Sequence, residues 1–260
     1  MCLKLHRLSS TFRTTSIALL TTAALSSSLL QADILASWDT WTDASGSNAD
    51  ETLTGFSATM TNSAGSNNIH GSFGSDDGTY GDDVSGASTS PGALLLSETS
   101  GSDLLEFTIT NNSGQDFNIG TLHFDFAPRQ NGNEVAHGYN TFVLSYVSGG
   151  LGPDSTEIDT QTGLSNVVLD GTDKAISAYP GYDYSLAASL TDTILSHGES
   201  AKFSIAFSGQ TDETIGGNEG RNTSSILDNL AFQGAVIPEP SSLALLLLSG
   251  LGFLFLRRRS

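Results

Sequence analysis

The sequence predicts an all-β protein whose main domain is an antiparallel β-sandwich. Apolar residues recur at every second position in several short segments, which is the period of a strand with one buried face. The spacers between these segments are rich in Gly, Ser, Asn and Asp, which favour turns. No long segment places its apolar residues at the three- and four-residue spacing of a helix. About nine or ten short strands without a long helix are typical of two packed antiparallel sheets.

Four segments show the alternation most clearly. They place on one face Leu105, Phe107 and Ile109; Leu122, Phe124 and Phe126; Phe142, Leu144 and Tyr146; and Phe203, Ile205 and Phe207. Weaker segments of the same kind lie at 34–38, 56–60, 93–96, 167–169 and 227–232. A short helix fits best within residues 184–200, but the glycine and polar residues at the end of this segment favour a turn before a strand. We therefore predict strand and loop there.

The N-terminus has the organisation of a secretory signal peptide. Three basic residues within the first 13 positions precede an apolar stretch from Ile17 to Leu30. The stretch is short for a membrane span, contains Thr and Ser, and is followed by the small residue Ala32. We therefore predict cleavage after Ala32 and not an N-terminal anchor. Residues 1–32 would leave together with Cys2, the single cysteine, so the exported segment has neither a disulfide nor a thiol.

The segment Asp33–Val236 is strongly acidic. Its 204 residues suit a single sandwich or barrel domain, and four basic against 27 acidic residues give it a formal charge of −23. Binding to nucleic acid requires lysine and arginine to displace counterions, so this charge excludes a nucleic-acid partner. It favours solubility and the attraction of cations.

The C-terminal residues combine three elements in a fixed order. These are Pro238-Glu239-Pro240, an apolar run from Leu243 to Leu256, and the cluster Arg257, Arg258 and Arg259. As a helix the 14-residue run would be about 21 Å long, against about 30 Å for a hydrocarbon core. With flanking serines and snorkelling arginines, we predict that it spans a thin or locally thinned bilayer as a single transmembrane helix. The positive-inside rule then places the arginines in the cytoplasm and the acidic domain outside.

This order resembles the PEP-CTERM sorting signal of exported bacterial proteins, which is also called the ice-binding protein C-terminal domain. The resemblance implies that an exosortase, a membrane enzyme, recognises the Pro238-Glu239-Pro240 element at the outer face of the inner membrane of a Gram-negative-type bacterium. The enzyme removes the helix, and the protein passes to the cell surface, the extracellular matrix or exopolysaccharide. The two prolines fit such a role because they hold Glu239 in an extended, exposed backbone. The predicted domains are the signal peptide at 1–32, the sandwich at 33–234 and the sorting signal at 235–260.

The body also resembles the β-jelly-roll domains that are common among such proteins. The similar segments are "ILASWDTW", "GSDDGTYG", "LHFDFAPRQ" and "TSSILDNLAFQG". The resemblance implies that the first strand, near Trp38, pairs with the last strand, near Phe232, and it implies no enzymatic role. Within the last strand we interpret Asp228-Asn229 as a β-bulge or turn and not as a ligand.

One pair of residues has the composition of a general base and its orienting carboxylate. His123 and Asp125 share a strand face opposite Phe124. A solvent-facing polar side of a sheet explains the pair more simply, and we prefer that interpretation. The chain has neither a helical zinc motif nor a G-x-S-x-G elbow. Glycoside hydrolysis needs only two suitably spaced carboxylates, which abundant acidic residues neither support nor exclude. We assign no catalytic residue.

A glycine-rich loop is the candidate for a metal or sugar. It contains Asp76, Asp77, Asp82 and Asp83 around Tyr80, so carboxylate oxygens are available for calcium and an aromatic ring for stacking on a sugar. The spacing is not that of an EF-hand or of the nonapeptide calcium repeat. A solvated acidic turn is the preferred interpretation, with calcium as the alternative and no other cofactor.

Two functions follow from these observations. The first is a non-catalytic surface or matrix protein that is exported, anchored, processed and held among exopolysaccharide. The alternative is a carbohydrate-binding module, with or without calcium, that uses the same export route, and glycoside hydrolysis ranks third.

Overall fold

The computed structural model describes residues 32–41, 48–62, 68–70, 79–80, 87, 92–97, 102–131, 138–164, 167–169, 179–210 and 224–238. All of these residues belong to one structural unit that begins at Ala32. Their elements are β1 (Asp33–Trp38), β2 (Glu51–Thr52), β3 (Phe56–Asn62), β4 (Asn68–His70), β5 (Ala93–Ser97), β6 (Asp103–Asn111), β7 (Phe117–Asn131), β8 (Tyr139–Gly149), β9 (Thr156–Thr162), β10 (Val167–Leu169), β11 (Gly181–Ser185), α1 (Leu186–Ser189), β12 (Ile194–Leu195), β13 (Ser200–Gln210) and β14 (Ser224–Val236).

The strands form two sheets. The nine-stranded sheet follows the order β10-β7-β14-β1-β2, with β11 and β12 also paired to β7, β5 paired to β14, and β4 paired to β5. The five-stranded sheet follows the order β3-β6-β13-β8-β9. The named strands pair antiparallel, except β10, which is parallel to β7. The predicted antiparallel β-sandwich is therefore confirmed, and all nine predicted strands are present.

Aromatic contacts join the two sheets in the core. Trp38 of the nine-stranded sheet meets Phe107 of the five-stranded sheet edge to face, with ring centroids 5.3 Å apart. Phe126 stacks on Phe207 at 4.8 Å, and several similar pairs surround them. These rings come from the alternating positions of the strands, and each is almost completely buried. Such pairs stabilise the fold beyond the burial of their surface, by about 0.5–1.5 kcal/mol each.

The first and last strands pair as the sequence analysis expects. Trp38 of β1 lies opposite Leu230 of β14, and Ala36 lies opposite Phe232. Because β14 also pairs with β7 along its length, β14 occupies the centre of the nine-stranded sheet.

The prediction that residues 184–200 are strand and loop is wrong at one helical turn. Residues Leu186–Ser189 form α1, in which the Leu190 N–H donates to the Leu186 carbonyl at 2.8 Å. The Leu186 side chain is fully buried, so tertiary packing and not helical periodicity stabilises this turn.

Candidate functional site

The paired residues His123 and Asp125 lie on β7, on the face opposite the sandwich core. His123 Nε2 is 3.2 Å from Asp125 Oδ1, and His123 Nδ1 is 2.9 Å from Oδ1 of Asp183 on β11. The imidazole therefore lies between two carboxylates. The side chain of Asp183 is 42% exposed, whereas His123 and Asp125 are each 2% exposed.

The interpretation of His123 and Asp125 as a solvent-facing pair is wrong. Their neighbours on the same face of the sheet, Ala127 and Ala231, pack in two small apolar clusters that include Tyr179 and Tyr80, respectively. Segments from elsewhere in the chain thus cover this face and exclude water from it. Two-residue alternation predicts which residues share a face, but it does not report what covers that face.

The electrostatics of the pair follow from its burial and its neighbours. Burial lowers the pKa of His123, but the contact with Asp125 and the charges of Asp125 and Asp183 together raise it more. The net pKa therefore lies above the ordinary value of 6.5. A carboxylate beside each ring nitrogen favours the imidazolium form, in which Nδ1 donates to Asp183 Oδ1 and Nε2 lies 3.2 Å from Asp125 Oδ1 without the geometry of a hydrogen bond.

A β-bulge in β14 extends this polar cluster. The register of β14 against β7 shifts between Asp228 and Ala231, which confirms the predicted bulge. Asn229, within the bulge, donates from Nδ2 to Asp125 Oδ2 at 2.9 Å, and the Trp41 indole N–H donates to Asp228 Oδ1 at 3.2 Å. Asn229 and Trp41 both have left-handed backbones, with φ of 47° and 45°.

Sequence analysis missed the partners that lie far along the chain. Asp183 is 60 residues from His123, and Trp41 is 187 residues from Asp228. Spacing within one segment carries no signal for such pairs. In the part of the chain that the structure describes, no group of three or more His, Cys, Asp or Glu side chains is arranged to hold a metal ion.

Tyr80 does not fit the alternative in which its ring stacks on a sugar. The side chain is 1% exposed, and its hydroxyl donates to Asp39 Oδ2 at 2.8 Å and also lies 3.2 Å from Ser37 Oγ. Its ring packs against the outer face of the nine-stranded sheet, so it is not available to stack on a sugar. The proposed calcium ligands Asp76, Asp77, Asp82 and Asp83 lie outside the described residues. Calcium binding there stays a prediction.

The junction between the domain and the C-terminal residues is sharply defined. Val236, the last residue of β14, pairs with Phe117, the first residue of β7. The N–H of Ile237 then donates to the carbonyl of Asp116 at 2.8 Å. The following Pro238 is exposed and has no N–H with which to continue the ladder. Ordered pairing therefore ends one residue before the Pro-Glu-Pro element.

Two turns lie beside this junction and are tied to each other. The 112–116 turn precedes β7, and the 196–199 turn precedes β13. The His197 N–H donates to Asp116 Oδ1 at 3.1 Å, and the Gly114 N–H donates to His197 Nδ1 at 3.0 Å.

The buried Asn111 connects the two turns from beneath. Its side-chain amide donates to the carbonyls of Gln115 and Leu195, both at 2.8 Å. The backbone carbonyl of Asn111 accepts from the Gly198 N–H at 2.6 Å. These bonds satisfy backbone groups at the ends of three strands and fix the shape of the surface around the junction.

The start of the domain lies at the same end of the sheet. Asp33, the first residue of β1, pairs with Gly234, two residues before the end of β14. Ala32, after which we predict signal cleavage, is exposed and directly precedes β1.

Residues 236–259 match the model of the PEP-CTERM protein-sorting motif. The chain carries a PEP-CTERM sorting motif. The resemblance seen in the sequence is thereby confirmed, and a motif of this kind implies export and processing by an exosortase. The PEP-CTERM motif begins at Val236, within β14, so its first residues belong to the folded domain.

Comparison with other proteins adds little to this identification. A search of curated proteins found no match. The enzymatically active domain of bacteriophage CBA120 tailspike protein 4 is 12% identical, with a TM-score of 0.29, over 76% of this chain and 21% of the tailspike chain. The family 11 carbohydrate-binding module of Clostridium thermocellum, solved with a β-1,3-1,4-mixed-linked tetrasaccharide, is 9% identical, with a TM-score of 0.31, over 79% of this chain and 100% of the module.

Most of the PEP-CTERM motif lies outside the described residues. Val236, Ile237 and Pro238 are described, whereas Glu239, Pro240 and the arginines 257–259 are not. Within the described ranges, no helix has the length and apolar character that crossing a membrane requires. The predicted helix Leu243–Leu256 falls outside those ranges and stays a prediction.

Proposed function

We propose that this protein is a non-catalytic component of the cell surface or extracellular matrix that is processed at its PEP-CTERM motif and associates with exopolysaccharide. The observation that carries the proposal is the direct connection of β14 to the motif through Val236 and Ile237. Removal of the residues after the junction would release a β-sandwich whose described core remains whole. The acidic surface would keep such a domain soluble and self-repelling outside the cell.

The His123 cluster supports a structural role rather than a catalytic one. Both ring nitrogens of His123 contact carboxylates, and the ring is almost completely buried. A general base must reach the proton that it abstracts, directly or through one water. The ring of His123 is almost completely buried and Nε2 faces Asp125 Oδ1 at 3.2 Å, so neither nitrogen is accessible to a substrate.

The proposed route of the protein has three steps. Signal peptidase cleaves after Ala32, which leaves Asp33 as the N-terminus at the start of β1. The arginines 257–259 hold the C-terminus in the cytoplasm, and exosortase acts at Pro238-Glu239-Pro240 on the outer face of the membrane. The sequence of the mature N-terminus, read from the released protein, tests the first step.

Replacement of Pro238, Glu239 and Pro240 by alanine tests the processing step. The variant should remain in the inner-membrane fraction, whereas the parent leaves it and becomes smaller. The matched control replaces Ser241 and Ser242, which flank the element, by alanine and should be processed like the parent. Release of the triple variant at the parental rate would contradict the proposal.

Association with polysaccharide has its own test. The processed protein should elute with the secreted polysaccharide on size exclusion and should shift to the volume of the free domain after the polymer is digested. Elution as the free domain in the presence of intact polymer would contradict this part of the proposal.

We propose direct carbohydrate binding as the second candidate function because of one described surface. The outer face of the five-stranded sheet carries an array of hydroxyl side chains: Ser57, Thr59, Thr61, Thr108, Thr110, Ser145, Thr160 and Ser204. On the same face Lys202 is paired with Glu106 at 2.8 Å, so these two charges balance each other. Hydroxyl groups are hydrogen-bonding partners for a neutral sugar polymer. Glu157 shares this face, where its Oε1 accepts from Thr160 Oγ1 at 2.9 Å, and keeps the face acidic.

Glycan-array binding of the processed domain, with calcium and with chelator, tests the second candidate. Ser204→Arg, in the centre of the array, should abolish any binding. Thr191→Arg, at an exposed position outside it, adds the same charge and should not. Equal effects of the two changes would exclude this face as the binding site.

A further inference from the structure

We propose that the tether end of the sandwich is a docking surface for the membrane enzyme that processes the PEP-CTERM motif. We define the tether end as the 112–116 turn, the 196–199 turn and Asp33, all of which lie around the junction at Ile237. The inference rests on the proposed processing at Pro238-Glu239-Pro240 and adds a second contact between enzyme and substrate.

The first argument is the length of chain between the folded domain and the membrane. Ordered pairing ends at Ile237, and the predicted apolar run begins at Leu243. The five residues between them span at most about 17 Å when fully extended. The Pro-Glu-Pro element occupies the first three of them, so its far end is within about 10 Å of the folded surface. An enzyme that encloses these three residues must also contact the surface from which they emerge.

The second argument is the construction of that surface. Asn111 and the reciprocal bonds between the Asp116 and His197 segments hold the two turns together at 2.6–3.1 Å. Gly114, Gln115 and Glu199 remain exposed on top of this network. A surface that is ordered before binding loses little conformational entropy when a partner docks on it.

The third argument is charge, which favours a protein partner over lipid. Asp33, Asp116 and Glu199 are exposed at the tether end, and neither turn contains lysine or arginine. Anionic headgroups repel such a surface within a Debye length, whereas lysine or arginine on an enzyme complements it. The tether end therefore fits a basic rim around the site that binds Pro238-Glu239-Pro240.

The test is a pulse-chase measurement of processing of the full-length chain in its own host. Asp116→Asn with Glu199→Gln removes two charges but keeps an oxygen to accept the turn hydrogen bonds from His197 and Ser196. Loss of charged contacts at an interface should slow processing about threefold to tenfold. The control, Glu51→Gln with Asp159→Asn, removes the same charge from β2 and β9 and should process like the parent.

A flexible linker of about a dozen Gly and Ser residues between Ile237 and Pro238 provides the second arm. The linker moves the domain away from the enzyme. The parent chain with the linker should therefore be processed as slowly as the charge variant without it. The Asp116→Asn, Glu199→Gln change should then have no further effect. A charge effect that persists with the linker, or no charge effect at native spacing, would overturn the docking surface.

Two measurements distinguish the docking surface from misfolding and from the proposed processing site. Melting of the released domains should be the same for the charge variant and its control, which excludes misfolding as the cause of slow processing. The variant with alanine at 238–240 is run in parallel. If that variant is processed normally, the proposed sorting site itself is wrong; if it is blocked while the charge variant is normal, only the docking surface is wrong.

Discussion

His123 shows how one side chain links the pH of the medium to the stability of the fold. Asp125 and Asp183 raise its pKa above the ordinary value of 6.5 despite burial, which alone would lower it. A group whose pKa is higher in the folded state binds its proton more tightly there than in the unfolded chain. The stabilisation is therefore fully present below pH 6.5 and is lost as the pH rises through the folded pKa.

We predict that the melting temperature falls as the pH rises from 6 to 9 and that His123→Gln removes most of this slope. At pH 6 the variant should be less stable by about 3–5 kcal/mol, because it leaves the buried carboxylate of Asp125 without its cation, whereas the exposed carboxylate of Asp183 is solvated by water and adds little. Calorimetry of both proteins across this range is the measurement. Asp103, whose pKa burial raises, titrates equally in both proteins and cancels in the difference. A parallel pair of curves would show that His123 does not titrate as argued.

Asn229 provides a second prediction, which depends on its left-handed φ of 47°. Asn229→Gly keeps the backbone conformation but loses the bond to Asp125, at a cost of about 1–2 kcal/mol. Asn229→Ala loses the same bond and adds about 1 kcal/mol of backbone strain. Denaturant unfolding should therefore give a higher free energy of unfolding for Asn229→Gly than for Asn229→Ala. At an ordinary strand position the alanine variant would be the more stable of the two. If Ala is the more stable variant, the strain argument is wrong.

The strand β14 is the element on which the sheet and the sorting junction both depend. It pairs with β7, β1 and β5, and it delivers Ile237 and Pro238 to the surface. Gly234 lies near its end, where a Cβ atom would be 2.5 Å from the Asn118 carbonyl oxygen and 2.7 Å from Leu35 Cδ1. The close approach of β7 and β1 at this point requires glycine.

We predict that Gly234→Ala destabilises the domain by about 1–3 kcal/mol through overpacking. Gly120→Ala, on the neighbouring β7, is the matched control, since its Cβ would meet nothing closer than the Gln233 carbonyl oxygen at 3.8 Å. That variant should be neutral or more stable by up to about 1 kcal/mol, because alanine restricts the unfolded chain. Urea unfolding of the two variants is the measurement. An equal loss of unfolding free energy in both variants would refute the packing argument.

The four strands that the sequence predicted most clearly share one property, which is that every second side chain enters the core. Alternating apolar residues identified β6, β7, β8 and β13 because each presents one side to the core. Strand β9 escaped prediction because its sequence, "TEIDTQT", has a single apolar residue and lies at a sheet edge. Strand β11 was not predicted because its two tyrosines resemble isolated aromatic residues in a loop.

The candidate site was predictable to the extent that it is local. The Pro-Glu-Pro element and the face shared by His123 and Asp125 follow from residues close together in sequence. The burial of that face and the contact with Asp183 depend on segments brought together by folding. No periodicity within β7 could reveal them.

At the scale of the whole molecule, the described core is complete before the sorting motif leaves the sheet. Every side chain in its three buried clusters lies between Ile34 and Val236. The beginning of β1 and the end of β14 are neighbours, since Asp33 pairs with Gly234. Residues 33–238 should therefore fold without the predicted signal peptide and the predicted membrane helix.

We predict that a chain of residues 33–238 folds cooperatively and melts at the same temperature as the processed protein. The matched control begins at residue 39 and lacks β1. It loses Trp38, which is fully buried and lies 5.3 Å from Phe107, as well as the pairing of β1 with β14. Loss of a buried tryptophan alone costs about 3–5 kcal/mol, against a typical total stability of about 5–15 kcal/mol. The shorter chain should be largely unfolded by near-ultraviolet circular dichroism, and a native spectrum from it would mean that β1 does not close the sheet.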